Sequence, residues 1–224
     1  EDICSTQVIA DICEKHKIDW IINFAAESHV DKSIADVTPF IRSNIEGVAS
    51  LLNVCRQTGA KMLQISTDEV YGSAKSGSFS ETATLDPKNP YSASKAAAEH
   101  LVTSYHNTYG TPYKMVRMSN NFGPRQHYEK LIPTVVNCLK VGKKVPIYGD
   151  GTNVRDWLYV KDSVKLIYTV WESGAFNTTY NLTYCNETDN LTLVSQICEI
   201  MGVDPDVALT FVKDRPGHDF RYSI

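Results

Sequence analysis

Tyr91-Ser92-Ala93-Ser94-Lys95 places a phenol and an ammonium four residues apart. On a helix that spacing puts both on one face, one turn apart. A cation beside a phenol favours the phenolate and draws its pKa down from about 10 toward the working range. Tyr91 could then take a proton from a hydroxyl as hydride leaves the same carbon. Taken alone, the pair equally describes a surface phenol with a snorkelling lysine. A second stretch, Ser66-Thr67-Asp68-Glu69-Val70-Tyr71-Gly72, follows an apolar run. It therefore stands at a strand end, where a parallel sheet presents functional groups. Its composition also suits an N-cap and a turn. Beside Tyr91, however, Thr67 can orient a substrate toward the phenol, and Asp68 and Glu69 offer one acid and one base if their surroundings split their pKa values.

The apolar pattern supplies elements to position these groups. Thr6 to about His16 reads as a helix, and Trp20 to Ala25 as a strand buried on both faces. From Pro39 to Gln57 apolar residues recur at helical spacing, with Pro39 near the N-terminus and Gly59 at the C-terminal cap. Lys61 to Ser66 is the next strand, Tyr91 to about Tyr109 a helix stopped by Gly110 and Pro112, and Tyr113 to Arg117 a third strand. Strands alternating with helices make a parallel sheet with crossovers. Beyond Gly123 the alternation weakens. Helices are expected near Leu131 to Val141, Asp162 to Glu172 and Leu191 to Met201, and a strand at Val145 to Tyr148.

With 42% apolar and 21% charged residues among 224, the chain can bury a core, which excludes a disordered tail. Net charge is −4 and the lysines and arginines are scattered, so nucleic acid is not an expected partner. No apolar run approaches the 18 residues of a membrane helix, and Glu1-Asp2-Ile3 does not open a signal peptide. The six cysteines contain no CxxC pair and read as reduced thiols, so the expected location is cytoplasmic and no metal site is expected. Asn177, Asn181, Asn186 and Asn190 each begin an N-x-[ST] sequon, here taken as an accident of a Thr-rich stretch.

Seven ordered blocks carry a resemblance: Phe24 to Asp31, Ser66 to Gly72, Tyr91 to Lys95, Ser119 to Pro124, Glu129 to Pro133, Arg155-Asp156-Trp157, and Arg215 to Asp219. Together they resemble the dTDP-glucose 4,6-dehydratases of the extended short-chain dehydrogenase family. The resemblance implies an α/β fold: a Rossmann-type sheet with helices on both faces (residues 1–126 and 156–182) and a smaller α+β nucleotide-sugar lobe (127–155 and 183–224). It implies NAD as cofactor, a nucleotide-diphosphate sugar as substrate, and a homodimer formed through helices 39–57 and 91–109. Catalytic roles fall on Thr67, Asp68, Glu69, Tyr91 and Lys95. Cofactor contacts fall on Asp2, Ile3, Phe24, Ala25, Ala26, Ser28, Ser43, Tyr91, Lys95 and Asn121. Substrate contacts fall on Ser28, Thr67, Asn120, Lys130, Leu131, Ile132, Pro133, Pro146, Ile147, Tyr148, Arg155, Asn190, Arg215, His218 and Asp219. Arg155 and Arg215 suit a diphosphate because a guanidinium fork matches phosphate oxygens.

Two departures stand out: the chain contains no strand-GxxGxxG-helix for a pyrophosphate, and it stops at Ile224 before the family's closing helices. Both are expected to lie outside these residues. Leu182-Thr183-Tyr184-Cys185 also stands where the family prefers a glycine pair. The rival readings are an epimerase or decarboxylase on the same scaffold, which needs no acid for C6, and a truncated, non-catalytic nucleotide-sugar-binding module.

Overall fold

The computed structural model describes all 224 residues. Helix α1 (Thr6–His16) turns Ala10 and Cys13 inward and leads to strand β1 (Trp20–Asn23). The apolar run expected to Ala25 leaves the sheet after Asn23, so Phe24 and Ala25 lie open at the strand's carboxyl end. A short helix, α2 (Val30–Ala35), follows; it is capped by His29, whose ring accepts from the Lys32 amide. The long helix anticipated from Pro39 has three parts: α3 (Thr38–Phe40), a π-helical turn (Ile41–Glu46) and α4 (Gly47–Thr58). Hydrophobic spacing does not distinguish a π turn from the α-helix around it. The turn places Asn44 inward, where its amide bonds the Glu27 backbone and the Ser94 hydroxyl.

Strand β2 (Lys61–Thr67) runs into a 3-10 turn (Asp68–Tyr71), and α5 (Pro90–Tyr109) begins in a capping box between Asn89 and Ser92. Strand β3 (Tyr113–Met118) completes the expected alternation. Beyond it come β4 (Asn120–Phe122), α6 (Leu131–Lys140), β5 (Val145–Tyr148), β6 (Val154–Tyr159), α7 (Val160–Ser173) and β7 (Thr178–Leu182). Then follow β8 (Glu187–Asp189), α8 (Asn190–Ile200), α9 (Pro205–Ala208) and β9 (Leu209–Val212).

The main sheet runs β1-β2-β3-β7, parallel throughout. One face packs against α4 and α5 through Leu51, Leu52, Met62, Val102 and Met115, the other against α7 through Leu63, Val116, Leu158 and Ile167. Helices cover both faces because β2 and β3 place apolar side chains such as Met62, Leu63, Met115 and Val116 on both sides. Strands β4, β6 and β8 form a second sheet, and β5 pairs with β9 against α6 and α8 around Val135, Val145, Val194 and Cys198. No helix is long and apolar enough to cross a membrane.

Candidate active site

The carboxyl end of β2 delivers Ser66 and Thr67 and, through the 3-10 turn, Asp68 and Glu69. Thr67 caps that turn, its hydroxyl accepting from the Glu69 amide at 3.3 Å and donating to Asp68 Oδ1 at 3.2 Å. Gly72 ends the turn at φ 75°, where a Cβ would run into the carbonyl of Asp86. Neighbours in sequence, the two carboxyls meet different surroundings. Asp68 is sealed, with Oδ2 buried and unpartnered. Glu69 opens on a cleft and accepts from Asn89 Nδ2 at 3.4 Å and Tyr222 at 3.2 Å.

Burial, reinforced by the charge of Glu69, pushes the Asp68 carboxyl up to about 8, against the opposing pull of Arg155 and Thr67. Asp68 is thus protonated at neutral pH and suited to be an acid. In the unfolded chain the same group ionises near 3.8. Its contribution to stability is therefore full below that value and lost as pH rises toward 8, at about 1.4 kcal/mol per pH unit. Asp68→Asn has no proton to lose, so its melting temperature relative to the native chain should climb between pH 5 and pH 8. A pH-independent difference in thermal unfolding would contradict a buried, protonated Asp68.

Helix α5 brings Tyr91 and Lys95 to the same strand end, but the expected charge coupling is absent. Burial, with the charge of Glu69, holds the Tyr91 phenol above its ordinary value, the Thr67 hydroxyl opposing. Lys95 donates to the Ile65 carbonyl at 2.7 Å instead of to the phenol. Burial brings its ammonium down to about 8, with Glu99 opposing. The expectation that a cation beside Tyr91 draws its pKa down is thus corrected for the side chains alone: the low dielectric that seals the pair costs the phenolate more than this cation returns.

The cleft has a volume of about 270 Å³ and gathers Ser28, Asn120, Lys130, Leu131, Pro146, Ile147, Tyr148, Arg155, Asn190, Arg215 and His218 from the expected substrate set. Pro133 does not line it, and Ile132 faces a separate hollow of about 450 Å³ bounded by Phe122, Tyr159 and Tyr184. Asp219 is also outside the cleft wall, buried behind Tyr222 with Oδ2 at hydrogen-bond distance, 2.8 Å, from that hydroxyl. Arg155 spends its fork on the carbonyls of Val154, Phe220 and Asp219 and lies 4.1 Å over the Tyr222 ring. Arg215 is freer: it meets Asp31 at 3.5 Å and keeps a buried Nε without a partner. Lys130 donates to the Ser28 carbonyl at 2.6 Å, and burial lowers its ammonium pKa. His218 bonds Asp214 at 2.7 Å while burial favours its neutral ring.

Other cleft residues escaped the reading of the sequence. Asp31 accepts from Tyr148 at 3.1 Å as well as facing Arg215, Glu129 pairs with Lys32 at 2.6 Å, and Trp157 and Tyr222 close the wall. Asp31, Glu129 and Trp157 stood inside the recognised blocks and could have been carried over with their neighbours. Tyr222 had no such signal.

The family model for GDP-mannose 4,6 dehydratase matches residues 1–224. The chain belongs to that family. It is 43% identical over 245 residues to a dTDP-glucose 4,6-dehydratase of Haemophilus influenzae, an alignment covering 100% of this chain and 72% of that protein. It is 46% identical over 207 residues to the low-salt glycan biosynthesis protein Agl12 of Haloferax volcanii, covering 92% of this chain and 66% of that one. The fold superposes with a TM-score of 0.97 on DesIV, a dTDP-glucose 4,6-dehydratase from Streptomyces venezuelae crystallised with NAD and TYD, at 40% identity and covering 100% and 69% of the two chains. A UDP-glucuronic acid 4-epimerase of Bacillus cereus, solved with UDP-glucuronic acid and NAD, gives 0.92 at 28% identity, with 100% and 70% covered. The main sheet of this family member is Rossmann-type, as expected.

The residues present fit one end of a dinucleotide. Lys95 carries three N–H donors and uses one, on Ile65. Phe24, 61% exposed beside Ala25 and Ala26, offers an apolar ledge at the open end of β1. Of the other expected cofactor residues, Asp2 is held by Arg42 at 2.8 Å, Ile3 packs on Gly47, and Ser43 is half-buried on the π turn. Asn121 has its amide committed to Ser119 and Ser163.

Proposed function

We propose that this chain carries the catalytic groups of an NAD-dependent nucleotide-sugar 4,6-dehydratase acting on dTDP-glucose or UDP-glucose. The observation that carries the proposal is the adjacent pair at the end of β2: Asp68 sealed and protonated, Glu69 open on the cleft. A 4-epimerase needs no acid for C6, so a carboxyl kept neutral beside a second one favours dehydration.

NAD, when bound, supplies the hydride acceptor for C4 oxidation, the hydride returned to C6, and in its oxidised form a positive charge. Tyr91, with Thr67 orienting the sugar, takes the C4 hydroxyl proton. The C4 ketone acidifies C5–H, and Glu69 removes that proton. Electrons from the C5–H bond form the C5–C6 double bond as the C6–O bond breaks, and Asp68 gives its proton to the departing oxygen, so water leaves. Arg215 and Lys130 are the cations this reading assigns to the diphosphate, with Arg155 bracing the wall behind them. With hydride delivered to C6, Glu69 returns its proton to C5, and the product is the 4-keto-6-deoxy sugar nucleotide. Supplying dTDP-glucose and UDP-glucose separately and weighing the products should show loss of 18 mass units with at least one; a C4 epimer of unchanged mass would place the protein with the epimerases.

We further infer a homodimer through α4 and α5. The exposed side of α5 carries Ala93, His100, Ser104 and Tyr109, with Arg56 of α4 over the Tyr109 ring. A monomer by light scattering at micromolar concentration would remove this inference.

A further inference from the structure

Tyr222 is 2% exposed, and its hydroxyl lies 2.8 Å from Asp219 Oδ2 and 3.2 Å from Glu69 Oε2. A phenol has one proton, and two ionised carboxylates cannot both accept it. Burial raises the Tyr222 pKa, so the group remains a phenol. Both contacts are hydrogen bonds only when one carboxyl holds a proton and donates to the phenol oxygen. Asp219 is the better holder. It is buried, its carboxyl bonds Tyr222 alone, and burial raises its pKa. Glu69 opens on the cleft and already accepts from Asn89 Nδ2.

We propose that Asp219 and Tyr222 are positioning residues for Glu69: the Asp219 carboxyl donates to the Tyr222 oxygen, and the Tyr222 hydroxyl donates to Glu69 Oε2, leaving Oε1 for the proton at C5. The inference rests on the dehydratase reading and adds to it a hydrogen-bonded chain that fixes the base. Arg155 stacks on the Tyr222 ring, Lys88 and Arg215 act on Asp219 at longer range, and Asp68 is the other carboxyl beside Glu69. The three cations oppose the burial that favours the protonated Asp219 carboxyl, and the chain breaks where Asp219 ionises. Once Asp219 loses its proton, the Tyr222 hydrogen turns to the nearer carboxylate and Glu69 keeps only Asn89 as a donor. Only the step after C4 oxidation should respond.

The test uses the holoenzyme with dTDP-glucose, following the near-ultraviolet rise of reduced cofactor, product mass, and deuterium uptake at C5 in heavy water. Tyr222→Phe should keep the first rise within about twofold of native while slowing C5 exchange and product about 100-fold, the scale of a misplaced catalytic group. Asp219→Ala should behave alike. Asp219→Asn, whose amide still donates to the phenol oxygen at every pH, should recover at least about tenfold over Asp219→Ala and make C5 exchange less dependent on pH than in the native protein. The proposal is overturned if Tyr222→Phe slows both stages equally, or if Asp219→Asn matches Asp219→Ala. If the native protein gives reduced cofactor but never a 4-keto-6-deoxy product, the dehydratase reading itself fails, and this pair's role with it.

Discussion

In Glu69→Gln, C4 oxidation is expected to survive while product formation falls by about two to four orders of magnitude, the usual contribution of a general base. The amide keeps the size of Glu69 and can still accept from Asn89 and Tyr222, but it cannot take a proton. Near-ultraviolet absorbance of reduced cofactor should therefore rise on adding sugar nucleotide and then persist. Tyr91→Phe should show no rise, because the C4 hydroxyl keeps its proton. The two variants divide the reaction at the C4 ketone. Turnover of Glu69→Gln at the native rate, or a stall of both variants before any absorbance change, would take Glu69 out of the C5 step.

The contrast behind that prediction was only half legible in the chain. Thr67, Asp68 and Glu69 could be placed at a strand end because Met62, Leu63 and Ile65 make the preceding stretch largely apolar, and Tyr91 and Lys95 on a helix because Asn89, Pro90 and Gly110 mark its ends. Which carboxyl is the acid could be assigned only through the resemblance. It depends on burial and on groups far along the chain: Arg155, more than 80 residues away, opposes the rise at Asp68, and Tyr222 bonds Glu69. The same limit explains the error over Lys95: helical spacing puts it near Tyr91, yet the Ile65 carbonyl is the acceptor it reaches. Strands β4, β6 and β8 escaped because Asn120–Phe122 and Val154–Tyr159 mix polar and apolar residues without alternation and Glu187–Asp189 is wholly polar. Their pairing is nevertheless what carries Asn120, Arg155 and Trp157 to the cleft.

Beneath the site lies the interaction whose loss should cost the fold most. Arg117 of β3 grips Glu99 of α5 with Nε and Nη2, the latter at 2.6 Å, and both side chains are buried. Ser66 donates to the same carboxylate, and Arg117 Nη1 reaches the Tyr71 hydroxyl and the Glu81 carbonyl. Arg117→Ala leaves Glu99 charged and unpaired in the core, at a cost of about 3–5 kcal/mol. For a chain of this length that lowers the melting temperature by about 6–20 °C. Replacing both partners by apolar residues of similar volume, Glu99→Leu with Arg117→Met, should cost less than Arg117→Ala alone, because no bare charge remains. The double variant should still be impaired in catalysis. Glu99 stands one turn from Lys95, and its charge opposes the burial that brings Lys95 down to about 8. Without Glu99 the ammonium loses its proton at lower pH, and cofactor-dependent oxidation at C4 should fall off earlier on the alkaline side. Thermal unfolding of Arg117→Ala within a degree or two of native, or an unmoved alkaline limb in the double variant, would separate this network from both stability and the site above it.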